Sequence, residues 1–464
     1  MRAPRVVVVG AGVSGLACAS TLQAEAERRR MPLALTVVDA NEEPGGHART
    51  VAVDGFLIER GPNGFLARDR ETPALIEMAG LTSRLVEASP AARKRFIVRD
   101  RRLCAVPDSP AAFVRSPALS WKGKLRLLAE PWAAGPPTFE ETVHQFAARR
   151  IGAEAAEMLV DAAVAGISAG DSRALSVSAQ FPMMTDMERE HGGLVRAMIA
   201  RRSRRQGPSR LLSFDGGMGL LTGTLARRLG PSLRLSCAVR AVTRGADGWI
   251  VQLAEGATLA ADHVVLATPA RVSALLTGDL DTSLAAALQD IPYSSLAVVA
   301  LAYRSGALPR PLDGYGYLVT RPEGLATLGV LWESSIFPGR APDGASLLRV
   351  FLGGARRPEV ARLDEAALVT VARDELAAVL GSMPDPAHTL VVRWPEAIAQ
   401  YTLGHAGRVL RAAERLRALT GLHCCGASYH GVSFTQAIAS GRAIARQVES
   451  DLWAGSQSPA SIAV

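Results

Sequence analysis

The chain has 464 residues and a mass of 48.9 kDa, with 48% hydrophobic and 21% charged residues, which excludes a wholly disordered or fibrous protein. At roughly 150 residues per domain, that length suggests about three units. The net charge of +8 is small and dispersed, so it argues against a dedicated nucleic-acid binder and suits an anionic substrate or an anionic membrane surface.

Val6-Val7-Val8-Val9 is a continuous β-branched run, the pattern of a parallel strand buried on both faces. It begins within a few residues of Met1, so no signal peptide is expected. The run enters Gly10-Ala11-Gly12-Val13-Ser14-Gly15, then a helical pattern with Leu16, Ala19 and Leu22 on one side. In a strand–GxGxxG–helix unit, Gly10 permits the tight turn and Gly12 lets backbone approach a pyrophosphate. Gly15 lets the helix sit close on the strand. The helix start adds amide donors and a positive dipole end. A second strand, Leu35-Thr36-Val37-Val38, ends at Asp39, whose carboxylate suits a ribose diol. Pro44-Gly45-Gly46 follows, a second glycine pair able to reach phosphate. These features point to a dinucleotide, either FAD or NAD.

Trp121, Leu125, Leu128 and Trp132 fall at i, i+4, i+7 and i+11, with Lys122, Lys124 and Arg126 off the stripe. Such a stripe suits an interfacial helix or a helix packed on the core. Residues 116–205 carry several helical periods and end in a basic run, Arg201, Arg202, Arg204 and Arg205. That run reads as a solvated loop or a contact for anionic lipid. Cys237-Ala238-Val239 reads as a short strand, and strands are expected over 248–253, 258–266, 292–303 and 347–353. Gly426-Ala427-Ser428-Tyr429-His430-Gly431-Val432 is a second glycine-rich turn, opening a helix over 435–448. Its amides suit the pyrimidine edge of an isoalloxazine, where negative charge develops on reduction. The five cysteines are scattered without a CxxC pair, which fits a reducing cytosol. No apolar run approaches the roughly 18–20 residues of a membrane span, so any membrane contact is expected to be peripheral. No His/Asp/Glu set shows metal-ligand spacing. The tail, 453–464, lacks apolar periodicity and reads as disordered.

Together these positions resemble the FAD-linked amine-oxidase and phytoene-desaturase superfamily, and within it the oxygen-dependent protoporphyrinogen oxidase family. The likeness runs from about Arg5 to Leu452. Its carriers in the first half are Glu59-Arg60-Gly61-Pro62-Asn63, Arg95-Phe96 with Leu103 and Pro107, Phe146 to Gly152, Ala165 to Asp171, and Met187-Glu188-Arg189-Glu190. In the second half they are Phe214-Asp215-Gly216-Gly217, Arg393-Trp394-Pro395, Gln400-Tyr401 with Gly404-His405, and Gly426 to Val432. The resemblance implies an α/β fold of interleaved parts. A Rossmann-type FAD-binding domain would take 1–75, 210–275 and 385–452, and a mixed-sheet substrate domain 276–384 with parts of 76–100. A helical, membrane-facing domain would take 100–209. It implies non-covalent FAD on Gly10, Gly12, Gly15, Asp39, Gly46, Gly61, Val239, Trp394, Gly426 and Val432. The cation beside the pyrophosphate stays open, because His47 stands where the family often has Lys or Arg, with Arg49 nearby. Two other departures are Thr435-Gln436-Ala437 in place of a common Asp-Cys, and Ser168 in place of an aromatic, which would widen the substrate channel.

The implied reaction removes six hydrogens from a porphyrinogen, with O2 as acceptor and H2O2 as product. The cofactor supplies the chemistry, and no catalytic side chain is expected. The substrate needs an apolar slot and a cation for its propionates. The matching positions are Arg95 for a propionate and Tyr315, Gly316, Leu318 and Phe351 for the macrocycle. Without the resemblance, Arg95 is part of a solvated cluster with Arg93 and Lys94, and the apolar positions are ordinary core. Protoporphyrinogen IX is the expected substrate. The alternatives are coproporphyrinogen III on the same scaffold, a flavin amine oxidase or desaturase, and a non-catalytic flavoprotein. The expected location is the cytoplasm or the cytoplasmic face of the membrane, with a homodimer as a further option and no nucleic-acid partner.

Overall fold

Two sheets organise the computed structural model, which describes residues 2–67, 69–201, 210–308 and 311–453. The first is a five-stranded parallel sheet in the order Leu233–Arg234, Ala34–Val38, Arg5–Val9, His263–Leu266, Leu422–Cys424. The valine run lies at its centre and is buried on both faces. Val6 and Val8 meet Leu16, Ala19 and Leu22 of the first helix (Val13–Arg29) and Ile438, Ala445 and Val448 of the last (Phe434–Trp453). Val7 and Val9 face Trp249, Leu284 and Leu288. The first and last helices pack so closely that a methyl on Gly441 would overlap Ser14 O.

The expected strand over 258–266 divides at Asp262. Thr258–Ala261 closes an antiparallel meander with Val239–Gly245 and Gly248–Leu253, whereas His263–Leu266 joins the parallel sheet. The Asp262 carboxylate accepts from Arg5 N at 2.8 Å and pairs with the Arg5 and Arg2 guanidiniums, which holds the chain where it changes sheets.

The second sheet has seven strands, in the order His388–Ala399, Tyr293–Tyr303, Ser346–Gly353, Thr327–Trp332, Gly316–Val319, Arg95–Arg99, Arg102–Ala105. All neighbours are antiparallel except Gly316–Val319 against Arg95–Arg99. Strands 102–105 and 388–399 therefore belong to this sheet, although the boundaries that the resemblance implies put them in the helical and cofactor parts. One face buries Val299, Leu301, Val350 and Leu352 under Leu368, Ala372 and Leu376 of the helix Glu365–Leu380. The opposite face looks toward the cofactor part and the helix Asp161–Ser168.

Residues 110–201 are mainly short helices. Two family-like stretches hold this region together. Arg149 pairs with Glu141 and Glu188, and Arg150 pairs with Glu130, all among buried or half-buried side chains. The apolar stripe lies outside this packing: Trp121, Leu125, Leu128 and Trp132 are 65%, 65%, 60% and 81% exposed. The helix Trp121–Leu128 stops before Pro131, and Trp132 sits in the following 3-10 turn. Two of the cations expected beside the stripe turn inward. Lys124 is buried and donates to Val114 O, and Arg126 donates to the carbonyls of Arg149 and Arg150. Among the described residues no helix is long and apolar enough to cross a membrane. Most of the basic run (202–205) and the tail (454–464) lie outside the described residues.

Candidate active site

The cofactor cradle forms where the parallel strands end. Gly10 has φ +108°, and a methyl there would lie 2.9 Å from Ala267 O. A methyl on Gly15 would overlap Gly10 O, so these two glycines serve the chain's own turn. Gly12 differs. Its φ is −70°, and a methyl on it would meet nothing within 4 Å. Gly12 caps the first helix without a side-chain cap, and the first turn carries no acidic residue. Open space against uncapped amides fits a pyrophosphate. Gly45 N donates to Ala11 O at 2.8 Å, and Gly46 sits against Gly12 with a methyl distance of 3.2 Å to its Cα, so the second glycine pair closes the same cradle.

Asp39 ends the second strand with Oδ2 accepting from Ala11 N at 2.6 Å and Oδ1 from Asn41 N at 2.8 Å. Cys237 N donates to Asp39 O at 2.8 Å, which brings the segment leading to Val239 beside this carboxylate. At the opposite end, the Tyr401 hydroxyl donates to Ala427 O at 2.8 Å and accepts from Gly431 N at 2.7 Å, pinning the loop that carries Gly426 and Val432. His405 stacks on Tyr401 with centroids 3.8 Å apart and is held to Tyr429 O. The Thr435-Gln436 departure is a local capping solution: Gln436 N donates to Ser433 Oγ, while Ser433 N donates to Gln436 Oε1.

His47 keeps one side open to the cleft, but the protein around it pushes its imidazole down to about 4, with Arg49 adding to the effect. An uncharged His47 leaves Arg49, whose Nε donates to Gly46 O at 2.8 Å, as the guanidinium beside the glycine pair.

Two side chains tie the seven-stranded sheet to this cradle. Trp394 Nε1 donates to Arg60 O at 2.9 Å, and its ring meets His47 edge-on at 4.4 Å. Arg349, fully buried in the strand Ser346–Gly353, donates to Glu59 O at 3.0 Å, Gly61 O at 2.6 Å and Glu333 Oε1 at 2.7 Å. Gly61 also lies against His47 O, where a side chain would overlap. Beside this pair, Arg340 meets the buried Glu59 carboxylate at 3.0 Å. Burial pushes Glu59 up to about 6, with Arg340 opposing that rise.

The expected substrate residues fall on one face of the sheet. Strand register aligns Ile97, Leu318, Gly329, Phe351, Val298 and Val392 in a single row. The next row runs Arg95, Gly316, Leu331, Arg349. Gly329 carries no side chain, and Leu318 leans over it and against Gly166 of the helix Asp161–Ser168, so the row is a continuous apolar face of the sheet. Arg95 is exposed at the edge, its guanidinium 5.1 Å from the Tyr315 ring centroid, and it has no ion-pair partner among the described residues. Burial raises the Tyr315 hydroxyl pKa, and the Glu333 carboxylate adds to the rise. Two expectations change. Gly316 was expected to admit the substrate ring, but its φ of +126° and a side-chain overlap with Val330 O show that it serves the neighbouring strand. Ser168 was expected to widen a channel, but it is fully buried with its hydroxyl donating to Val164 O at 3.0 Å.

Sequence reasoning missed Gly329, Arg349 and Glu333. Their signals were a glycine inside a strand pattern and a lone arginine in Leu347-Leu348-Arg349-Val350-Phe351-Leu352. It also excluded any metal-ligand set, yet His263, His423 and Asp451 bring their ligand atoms within 4.8 Å of one another.

Residues 13–449 match the family of flavin containing amine oxidoreductases. The chain belongs to that family. It is an oxidoreductase, and FAD is its cofactor. Coproporphyrinogen III oxidase of Bacillus subtilis (strain 168) is 30% identical over 94% of this chain and 96% of its own length. Protoporphyrinogen oxidase of Bos taurus is 35% identical over 96% of this chain and 98% of its own. A solved structure from Exiguobacterium sp. 255-15, named provisionally as a protoporphyrinogen oxidase, superposes with a TM-score of 0.85 at 25% identity, covering 97% of this chain and 100% of that one.

Proposed function

We propose that the chain oxidises protoporphyrinogen IX to protoporphyrin IX with O2 as acceptor. Six hydrogens leave the macrocycle, so three O2 are consumed and three H2O2 released. Bound FAD supplies the hydride acceptor and the route to O2. The observation that carries the reading is the apolar row Leu318–Gly329–Phe351, tied to the cradle through Arg349 and Trp394 and edged by Arg95. The row receives the apolar macrocycle, the surrounding Ile97, Val298 and Val392 exclude water, and Arg95 holds a propionate.

Coproporphyrinogen III is the second reading, favoured by the Bacillus subtilis relative. It brings more propionates and needs more cations. Asp313 engages Lys94, which supports the substrate with fewer propionates. Turnover of both porphyrinogens side by side under air, followed by porphyrin fluorescence, decides between them, and turnover is expected to stop without O2. Arg95→Ala should keep its flavin and lose roughly 10- to 100-fold in kcat/KM, about 1.5–3 kcal/mol. Wild-type kcat/KM in that flavin-loaded variant would overturn the role of Arg95.

The same reading makes this a cytoplasmic enzyme that touches the membrane peripherally through Trp121, Leu125, Leu128 and Trp132. Co-sedimentation with anionic liposomes should fall when Trp121 and Trp132 are replaced by Ser. Equal sedimentation of that variant and the wild type would remove the stripe from the account.

A further inference from the structure

The sheet that ends in the cofactor cradle carries a second convergent cluster at its other end. His263 opens the strand His263–Leu266, His423 lies in Leu422–Cys424, and Asp451 lies in the last turn of the C-terminal helix. In the parallel register Val265 aligns with His423, so His263 and His423 share one sheet face. Val265 and Cys425 on that face pack beneath the C-terminal helix with Ala445 and Val448. The two imidazoles are buried and nearly coplanar edge to edge, with Nδ1 of His263 hydrogen-bonded to Nε2 of His423 at 3.1 Å and the ring centroids 5.4 Å apart. Asp451 is exposed and forms the open side.

We propose that His263, His423 and Asp451 bind a divalent transition ion of the zinc class, with water completing the coordination. The donor chemistry selects the ion. Two imidazoles and one carboxylate suit Zn2+, Ni2+ or Cu2+, whereas Mg2+ and Ca2+ require mostly oxygen ligands. The spacing also fits, because two imidazole nitrogens on one tetrahedral zinc at about 2.0–2.1 Å lie about 3.3 Å apart. As they stand, the two facing nitrogens share one hydrogen bond, so the ion takes the place of its proton, and a small turn of each ring brings both lone pairs onto it. The neighbouring carboxylate of Asp262 does not compete, since Arg2 and Arg5 already hold it. The cradle residues Gly10, Ala267 and Gly426 follow the far ends of the same strands. The ion therefore has no part in the redox chemistry. It fastens the end of the last helix to the sheet, and that helix begins at the loop that closes the cradle.

The test uses the FAD-loaded protein, treated with EDTA, dialysed, and titrated calorimetrically with ZnCl2, with MgCl2 as control. One zinc per chain is expected, with a rise in Tm that magnesium does not produce. Asp451→Ala should weaken zinc binding by at least about 10-fold, the scale on which altered ligand shells act. His423→Ala should abolish it, and both variants should keep the flavin spectrum. No zinc binding by the wild type overturns the proposal. So does unchanged zinc affinity in Asp451→Ala, which would place the ion elsewhere. Because Asp451 is exposed, that variant decides the matter even where His423→Ala fails to fold.

Discussion

Gly12→Val separates folding from cofactor binding at one position. Gly12 has φ −70°, an ordinary value for any residue, and a methyl there meets nothing of the chain within 4 Å. The apoprotein should therefore tolerate valine at about the cost of replacing a glycine N-cap, roughly 0.5–1 kcal/mol. The pyrophosphate should not, because the side chain fills the space through which backbone amides approach it. FAD at about 100 times its Kd stabilises the wild type by roughly 2.7 kcal/mol, and that increment should vanish in the variant. The assay compares Tm with and without added FAD, together with flavin released on denaturation. Gly15→Val is the control: its side chain overlaps Gly10 O, so it should lower the apoprotein Tm as well. A Gly12→Val protein that purifies yellow, with stoichiometric FAD and an undiminished Tm increment, would refute the cradle as drawn.

Arg349→Met should cost roughly 3–5 kcal/mol, since it strands the buried Glu333 carboxylate and frees the carbonyls of Glu59 and Gly61. Adding Glu333→Gln should recover much of that loss in urea melts followed by FAD release, and strictly additive losses would contradict the pairing. Gly329→Ala places a methyl 2.9 Å from Leu318 Cδ2 and Tyr317 O. It should lower kcat/KM for porphyrinogen while keeping FAD, at about 1–3 kcal/mol in stability, and unchanged kcat/KM would remove the row from the substrate site. Burial pushes His405 down to about 4 from an ordinary 6.5, so the unfolded chain binds its proton first. That contribution is complete above pH 6.5 and lost as pH falls through 4, on the order of 3 kcal/mol. His405→Phe keeps the stack on Tyr401 and should flatten Tm against pH in that window; an unaltered slope would assign acid sensitivity to other groups.

The local features were readable because short stretches decide them. A β-branched run makes a buried strand, and a turn needing φ +108° at Gly10 demands glycine whatever surrounds it. The strands at Tyr293–Tyr303 and Ser346–Gly353 and the helix after Gly431 followed from the same local rules. The Ser433–Gln436 capping box was equally local, although its positions first read only as a departure from the family pattern.

Tertiary structure decided whatever depends on register or on which face a residue takes. Only the pairing of three strands places Leu318, Gly329 and Phe351 in one row, and only the neighbouring strand explains Gly316. The stripe from Trp121 to Trp132 has the same periodicity whether packed or exposed, and its exposure depends on what the rest of the chain places against it. Arg349 and Glu333 stand 16 residues apart and His263 and His423 stand 160 apart, so sequence spacing carried no sign of either meeting. By itself the sequence determined a dinucleotide cradle and the order of its parts, because backbone sterics and hydrophobic period act over a few residues. The row Leu318–Gly329–Phe351, the buried ion pair beside it and the histidine cluster at the far edge were settled by strand pairing and burial, which act between residues the chain keeps far apart.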